Sequence, residues 1–341
     1  MSHEWLIIIW FAVWGLLWAV YFALDGYDLG AGILCPWLPK NQEERHQLVA
    51  SLGPFWDGNE VWLITAGGAT FAAFPTTYAI MFSSLYAPLM IILLGLVFRA
   101  VAIEFYNKSQ GTSWQRFWAG ALSLSSLIVA LLLGVAFGNI FQGLPIDQNG
   151  YQGTLLTLLN PFGLLTGVLL VLAFLFNGSA WLAVKTEGEL AERARSLAEK
   201  IWPWLLVAAV LFLFYGAFGT NLFANYLAQP VWFLVPLLAA VAVIAARLYL
   251  ARQQAALALI SGSLAVLFTV FVGIIGIFPA MLPSHVDPRY SITAFNAASS
   301  PYTLTIMLIV VLIFLPVVLA YQYWLYRVFS AKVTKEDIES Y

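Results

Sequence analysis

Charged residues are scarce in this sequence. Asp, Glu, Lys and Arg together make up 9% of its 341 residues, whereas a soluble domain carries about 25%. Hydrophobic residues make up 62%. These proportions exclude an ordinary soluble domain and predict an integral membrane protein. The formal net charge of −2 gives no reason to expect a nucleic-acid partner.

Cysteine and histidine are also scarce. One cysteine, Cys35, excludes an intrachain disulfide and a cysteine metal cluster. The three histidines, His3, His46 and His285, fall in predicted tails or loops, whereas haem iron in a membrane bundle usually takes ligands from within helices. We therefore expect this chain to bind no haem or metal by itself.

Several catalytic motifs are missing as well. The sequence contains no phosphate-binding glycine loop, no helical His-Glu-x-x-His and no nucleophile elbow. ATP-driven transport and hydrolase chemistry therefore have no support.

Long apolar runs are abundant. Nine segments are long enough to cross about 30 Å of hydrocarbon, so the sequence predicts one polytopic, all-α membrane domain over residues 1–341. The first segment has no Lys or Arg before it, so we interpret it as a retained helix and not as a cleavable signal peptide. The segments lie at about 5–34, 47–73, 76–106, 114–138, 161–185, 200–223, 230–250, 255–280 and 301–327.

Positive charge alternates between successive loops. Of the 15 Lys and Arg residues, all but Arg289 lie in or beside the loops after segments one, three, five and seven or at the C-terminal end, where Arg327 precedes the polar tail from Lys332 to Glu339. Because cytoplasmic loops carry the excess of positive charge, we expect the N-terminus outside and the C-terminus in the cytoplasm. We also expect the inner loop at 185–200 to form a short solvated helix.

Four acids lie within the first two segments. Asp25 and Asp28 are three residues apart, as are Asp57 and Glu60, so each pair shares one helix face. A charged side chain near the bilayer centre costs at least about 2.5–3.5 kcal/mol. Consecutive antiparallel helices bring these acids to matching depths, and Arg99 in the third segment is a plausible ion-pair partner.

Two interpretations of these acids remain open. They could join helices through ion pairs and hydrogen bonds, or they could form a proton pathway. Four acids cannot all be neutralised by one nearby cation, which favours the proton pathway. Pro54 is expected to kink the second helix and admit water just below Asp57.

The stretches Asp25–Gly30 and Trp56–Ala69 resemble subunit II of the bacterial cytochrome bd quinol oxidase. The likeness covers nearly the whole chain. It continues through Phe71–Pro75, Phe98–Arg99, Gly134–Asn139, Asn160–Leu165 and Thr334–Ile338.

The resemblance implies an architecture and an activity. It implies nine helices, in two four-helix bundles plus one peripheral helix, packed on a subunit I that holds two b haems and one d haem. The complex would oxidise quinol at the outer face of the bacterial inner membrane and reduce dioxygen to water with cytoplasmic protons. A proton path at the subunit interface would use Asp25, Asp28 and Asp57, with Glu60 beside them. Membrane lipid is a further expected partner, whereas small single-helix subunits and a structural quinone, which some members hold, stay open.

Two competing functions remain at this point. A purely structural scaffold would use its acids only for assembly. A proton-coupled secondary transporter would need binding helices broken near the midplane in both halves, whereas the acids here lie in one half.

Overall fold

The computed structural model of the protein describes residues 2–108 and 111–333. The motif Thr334–Ile338 and the end of the tail lie outside the described residues. The helices are α1 (His3–Leu34), α2 (Gln42–Leu52), α3 (Trp56–Ala73), α4 (Pro75–Ser84), α5 (Tyr86–Tyr106), α6 (Thr112–Gln142), α7 (Leu155–Leu158), α8 (Pro161–Lys185), α9 (Gly188–Gly219), α10 (Ala224–Ala228), α11 (Leu234–Ala251), α12 (Ala255–Ile277), α13 (Ala294–Ala297) and α14 (Pro301–Val328). Two 3-10 turns lie at Pro230–Phe233 and Pro288–Tyr290.

Strands occur only as two short antiparallel pairs in the part of the chain that the structure describes. Strand β1 (Ile146–Asp147) pairs with β2 (Gly150–Tyr151), and β3 (Ala280–Leu282) pairs with β4 (Ile292–Thr293). Both pairs lie in connections between long helices. The fold is therefore helical, as the composition predicts.

Eight helices in residues 2–108 and 111–333 are long and apolar enough to cross a membrane. They are α1, α5, α6, α8, α9, α11 with its preceding 3-10 turn, α12 and α14. Helices α1, α6, α8 and α14 cover the segments expected at 5–34, 114–138, 161–185 and 301–327, and α12 covers the segment expected at 255–280 except for its last three residues.

The continuous helix expected at 47–73 is wrong. The structure breaks it into α2 and α3 at Gly53, Pro54 and Phe55. Proline lacks the amide hydrogen that would bond to the carbonyl of Ala50, and its ring crowds that carbonyl. The kink that we expected at Pro54 is thus a full interruption, one turn before Asp57.

The segment expected at 76–106 is also interrupted. Helix α4 ends at Ser84 and α5 begins at Tyr86. Pro88 lies four residues after Ser84 and has no amide hydrogen to donate to the Ser84 carbonyl, which disfavours a continuous helix there.

The separate solvated helix expected at 185–200 is a third correction. Lys185 ends α8, and residues 188–200 form the first turns of α9, which continues through Pro203. Leu190, Ala194, Ala198 and Ile201 are all buried. Their spacing of three and four residues places them on one face of a helix, and packing of this stripe extends the helix beyond the apolar segment.

Helix α8 lies at the centre of the bundle, packed against α1, α6, α9 and α12. Glycines permit the closest approaches. A Cβ on Gly30 would collide with the backbone carbonyl of Phe174, and one on Gly134 would lie 2.6 Å from the Cα of Gly167. Small residues let membrane helices pack backbone to backbone in this way.

Helix α14 packs far less. Of its 28 residues, only Leu304 is buried. The Trp10 indole donates a hydrogen bond to the Leu304 carbonyl at 3.0 Å. Partly buried residues such as Met307 and Val311 pack against the core, and helix α14 is peripheral to the bundle.

Candidate functional site

A buried arginine joins three helices. Arg99 on α5 is 0% exposed. Its Nη1 donates to Asp25 Oδ1 on α1 at 2.7 Å, and its Nη2 donates to Glu60 Oε2 on α3 at 2.9 Å. We call these three residues the Arg99 site. One guanidinium can serve two carboxylates because its donors form a planar fork.

The other acid of α1 has a different partner. Asp28 is 1% exposed, and its Oδ2 accepts a hydrogen bond from Asn59 Nδ2 on α3 at 2.7 Å. Its Oδ1 has no hydrogen-bond partner in the described part of the protein. No ion pair reaches Asp28 within that part.

Two tyrosines complete the surroundings of Asn59. Its Nδ2 also donates to Tyr27 Oη at 2.6 Å, and Tyr27 Oη lies 2.5 Å from Tyr326 Oη on α14. Tyr326 Oη donates to Asn59 Oδ1 at 3.2 Å. We call Asn59, Asp28, Tyr27 and Tyr326 the Asn59 site.

Asp57 does not join either site. It is exposed, in the first turn of α3, and its Oδ1 accepts a hydrogen bond from the Gly58 amide at 2.7 Å. Among the described residues, no hydrogen bond or ion pair connects it to Asp25, Asp28 or Glu60. The Glu60 side chain, one turn further on, is 20% exposed.

The orientation of α3 explains this placement. Asn59, Trp62, Ala66, Thr70 and Ala73 are its buried residues, and their spacing defines the face toward α1. Residues two apart on a helix face different directions. Asn59 therefore points into the bundle where Asp57 does not.

A buried lysine lies close to the Asn59 site. Lys185 ends α8 and is 5% exposed, although the sequence suggests a loop charge. Its Nζ donates to the carbonyls of Phe329 and Ala331, the latter at 2.7 Å. It also lies 5.3 Å from the centre of the Phe55 ring and 5.7 Å from that of Trp181. The lysine thus holds the end of α14 against α8.

Sequence reasoning gave Asn59, Tyr27, Tyr326 and Lys185 no functional part. Asn59 could have been found from the buried stripe of α3, since it continues the series Trp62, Ala66 and Thr70. Tyr326 is 299 positions from Tyr27, and no local pattern connects them.

The histidines lie apart from one another. His3 starts α1 and is exposed, His46 Nε2 lies 2.9 Å from Gln115 Nε2, and His285 Nδ1 lies 3.2 Å from the Gly143 carbonyl. In residues 2–108 and 111–333, no group of three or more His, Cys, Asp or Glu could hold a metal ion.

An ion pair outside the apolar core joins α2 to α9. Arg193 Nη2 lies 2.5 Å from Glu44 Oε2. Burial alone raises the pKa of Glu44, but hydrogen bonds from Arg193 and the Lys40 amide, together with their charges, outweigh it, and the net pKa is lowered.

The helices and the buried charges together define a multi-pass membrane protein with acids buried between its helices. Residues 6–329 match the family model for cytochrome bd terminal oxidase subunit II. The chain belongs to this family, and the resemblance drawn from Asp25–Gly30 and Trp56–Ala69 is confirmed.

Relatives and a solved structure agree. The chain is 33% identical to cytochrome bd-I ubiquinol oxidase subunit 2 of Escherichia coli K12, covering 99% of this chain and 98% of the relative. It is also 33% identical to cytochrome bd ubiquinol oxidase subunit 2 of Bacillus subtilis, covering 98% of each. The structure of bd oxidase from Geobacillus thermodenitrificans shares the fold, with a TM-score of 0.79 at 18% identity over 95% of this chain and 98% of that one.

The family settles the class of protein. The chain is a multi-pass protein of the bacterial inner membrane and a subunit of a quinol:dioxygen oxidoreductase complex. Subunit 2 implies a partner subunit 1, and the family implies haem in the complex.

Proposed function

We propose that this chain carries protons from the cytoplasm toward the haems of the partner subunit and binds no haem itself. The pathway uses Asp57, Glu60, Asp25 and Asp28. Asp28 supports this proposal most strongly, because it is a buried acid whose one hydrogen-bond partner is a neutral amide. An unpaired ionised carboxylate is costly in a low-dielectric interior, and intramembrane acids that are kept despite this cost typically belong to proton relays.

A gradient of exposure supports the route. Asp57 is exposed, the Glu60 side chain is 20% exposed and the Asp25 side chain is 0% exposed. The three acids therefore lead from the surface of this chain to its interior.

The neighbours of Asp57 indicate what covers that surface. Val61 and Ile64, also on α3, are 52% and 70% exposed. A carboxylate among lipid-facing apolar side chains would cost at least about 2.5–3.5 kcal/mol. We infer that the partner subunit covers this face of α3, which puts the start of the pathway at the subunit interface.

A proton pathway from the cytoplasm assumes a particular number of membrane crossings and a particular orientation of the chain. We take α2 with α3 as one crossing and α4 with α5 as the next, which gives nine crossings in one polytopic domain over residues 1–341. The loop charges support an orientation with the N-terminus outside and the C-terminus in the cytoplasm. Two four-helix bundles then account for eight crossings, and α14 fits the peripheral helix.

A scaffold role is the second candidate, and the Arg99 site favours it. One guanidinium joins α1, α3 and α5 through Asp25 and Glu60, which is the arrangement expected of an assembly contact. The proton-coupled transporter has no comparable support, since the family is that of an oxidase subunit.

Replacing Asp57 tests the proposal. In the purified complex, Asp57→Asn should lower quinol oxidase turnover while all haems remain bound, since the amide cannot carry a proton. Glu104→Gln is the matched control, because Glu104 is also an exposed acid at a helix end and should leave turnover unchanged. Unchanged turnover in Asp57→Asn would remove this residue from the pathway, and loss of haem or of subunit I would favour the scaffold.

A further inference from the structure

The weakly packed helix α14 reaches the buried acids through one side chain. Its last turns are attached by the Lys185 ammonium, by the Tyr326 ring at 4.9 Å from the Phe55 ring and by the Tyr326 hydroxyl. Of these attachments, the hydroxyl alone enters the Asn59 site. A peripheral helix is thus connected to an acid buried at 1% exposure.

The hydrogen bonds around Asn59 have one consistent set of directions. An asparagine amide nitrogen carries two hydrogens, and here one goes to Asp28 Oδ2 and the other to Tyr27 Oη. Because Tyr27 Oη accepts from Asn59, its own hydrogen is free for Tyr326 Oη at 2.5 Å. Tyr326 then donates to Asn59 Oδ1. Asn59, Tyr27 and Tyr326 form a closed ring, and the second amide hydrogen points out of it to Asp28.

We propose that Tyr326 is a positioning residue for Asp28: its hydroxyl, with that of Tyr27, fixes the Asn59 amide so that it donates to the buried carboxyl. Docking of α14 is thereby coupled to an acid of the pathway. This inference rests on the proposed function through Asp28. Tyr326 moves no proton to the haem in this account, because the Asn59 amide between it and Asp28 is too weak an acid and too weak a base to relay protons.

Removing the hydroxyl alone separates positioning from packing. Tyr326→Phe keeps the ring and its contacts with Phe55 and Trp181, so α14 should stay docked. The variant loses the hydrogen bond that Tyr326 donates to Asn59 Oδ1 and the one that it accepts from Tyr27. A buried polar atom without a partner is costly, so the Asn59 side chain should rotate to a new partner and leave Asp28.

Kinetics of the complete oxidase provide the first test. Tyr326→Phe should lower kcat about three- to tenfold and leave the KM for quinol unchanged. A factor of this size corresponds to the loss of one hydrogen bond, here the one from Asn59 to Asp28. Asn59→Ala should lower kcat at least as much. The double variant Tyr326→Phe/Asn59→Ala should have the kcat of Asn59→Ala alone, since both changes act through the hydrogen bond between Asn59 and Asp28. Tyr323→Phe is the control: Tyr323 is an exposed tyrosine of the same helix and its variant should match the parent enzyme. Multiplying effects in the double variant would overturn the inference.

A structure of the Tyr326→Phe complex provides the second test, independent of turnover. The inference expects Asn59 Nδ2 to leave hydrogen-bond distance of Asp28 Oδ2 while α14 stays in place. An unchanged 2.7 Å contact would overturn it. The proposed function has its own test, because it is wrong if Asp28→Asn leaves turnover unchanged. The position of Asn59 in the Tyr326→Phe structure does not depend on that result.

Discussion

Asp25 and Asp28 lie three residues apart on α1, both at 1% exposure or less, yet their partners differ in charge. Asp25 is paired with the Arg99 guanidinium, whereas Asp28 meets a neutral amide. Equal burial therefore produces two kinds of acid. A change of protonation at Asp25 weakens its ion pair with Arg99, whereas Asp28 can change its protonation without breaking an ion pair.

The two sites also differ in what they connect. The Arg99 site joins three helices of the first third of the chain. The Asn59 site extends to α14, the helix with the fewest buried residues among the long ones. Substitutions can therefore disturb one site and leave the other intact.

Breaking the Arg99 site should have the largest effect. Arg99→Met leaves the buried Asp25 and the partly buried Glu60 without their cation, and removing one partner of a buried ion pair costs about 3–5 kcal/mol. We expect poor assembly of the oxidase and loss of haem. The measurement is the haem spectrum and subunit content of the purified complex.

A compensated variant controls for the change in shape. Adding Asp25→Asn and Glu60→Gln to Arg99→Met removes the unpaired charges, and assembly should recover. Normal assembly and haem content in Arg99→Met alone would show that the site is not an assembly contact.

Loosening α14 should have a smaller effect, because it removes contacts at one end of that helix and leaves the Arg99 ion pairs in place. Lys185→Met keeps the aliphatic stem but leaves the Phe329 and Ala331 carbonyls without their donor, at a cost of about 1–3 kcal/mol. The thermal midpoint of the complex should fall. Lys200→Met, at an exposed position of α9, is the control, and an equal midpoint in the two variants would contradict the anchoring role of Lys185.

The α2–α9 ion pair should have the smallest effect. Arg193→Gln should cost about 1 kcal/mol or less at pH 7, since this pair is partly exposed. The lowered pKa of Glu44 determines how this contribution depends on pH. The ion pair stabilises the fold above the ordinary pKa of 4.5, and this stabilisation is lost as the pH falls through the lower pKa of the folded state. The difference in thermal midpoint between variant and parent should therefore shrink on acidification. A constant difference would assign the effect to packing.

Much of the fold follows from the sequence. The 30 Å span and apolar runs place α1, α6, α8, α12 and α14 within a few residues. The interruptions at Pro54 and Pro88 were harder, because a proline within an apolar run bends some helices and ends others. The early start of α9 at Gly188 depends on tertiary packing of a stripe that composition alone marks as solvated.

The site was predictable in part. The acids and Arg99 are costly in lipid wherever they lie, so sequence can single them out. Which of them meet depends on helix rotation, and here the buried face of α3 carries Asn59 and not Asp57. Contacts from Lys185 and Tyr326 join distant parts of the chain and leave no periodic signal.

Proton uptake by the Asp28→Asn complex tests the central distinction most directly. General acid–base groups contribute about 10²–10⁴-fold, so the rate of uptake from the cytoplasmic side after an oxygen pulse should fall at least about tenfold. The haems and the ion pairs of the Arg99 site should be retained. Uptake at the parent rate in a complex with all haems bound would contradict the account.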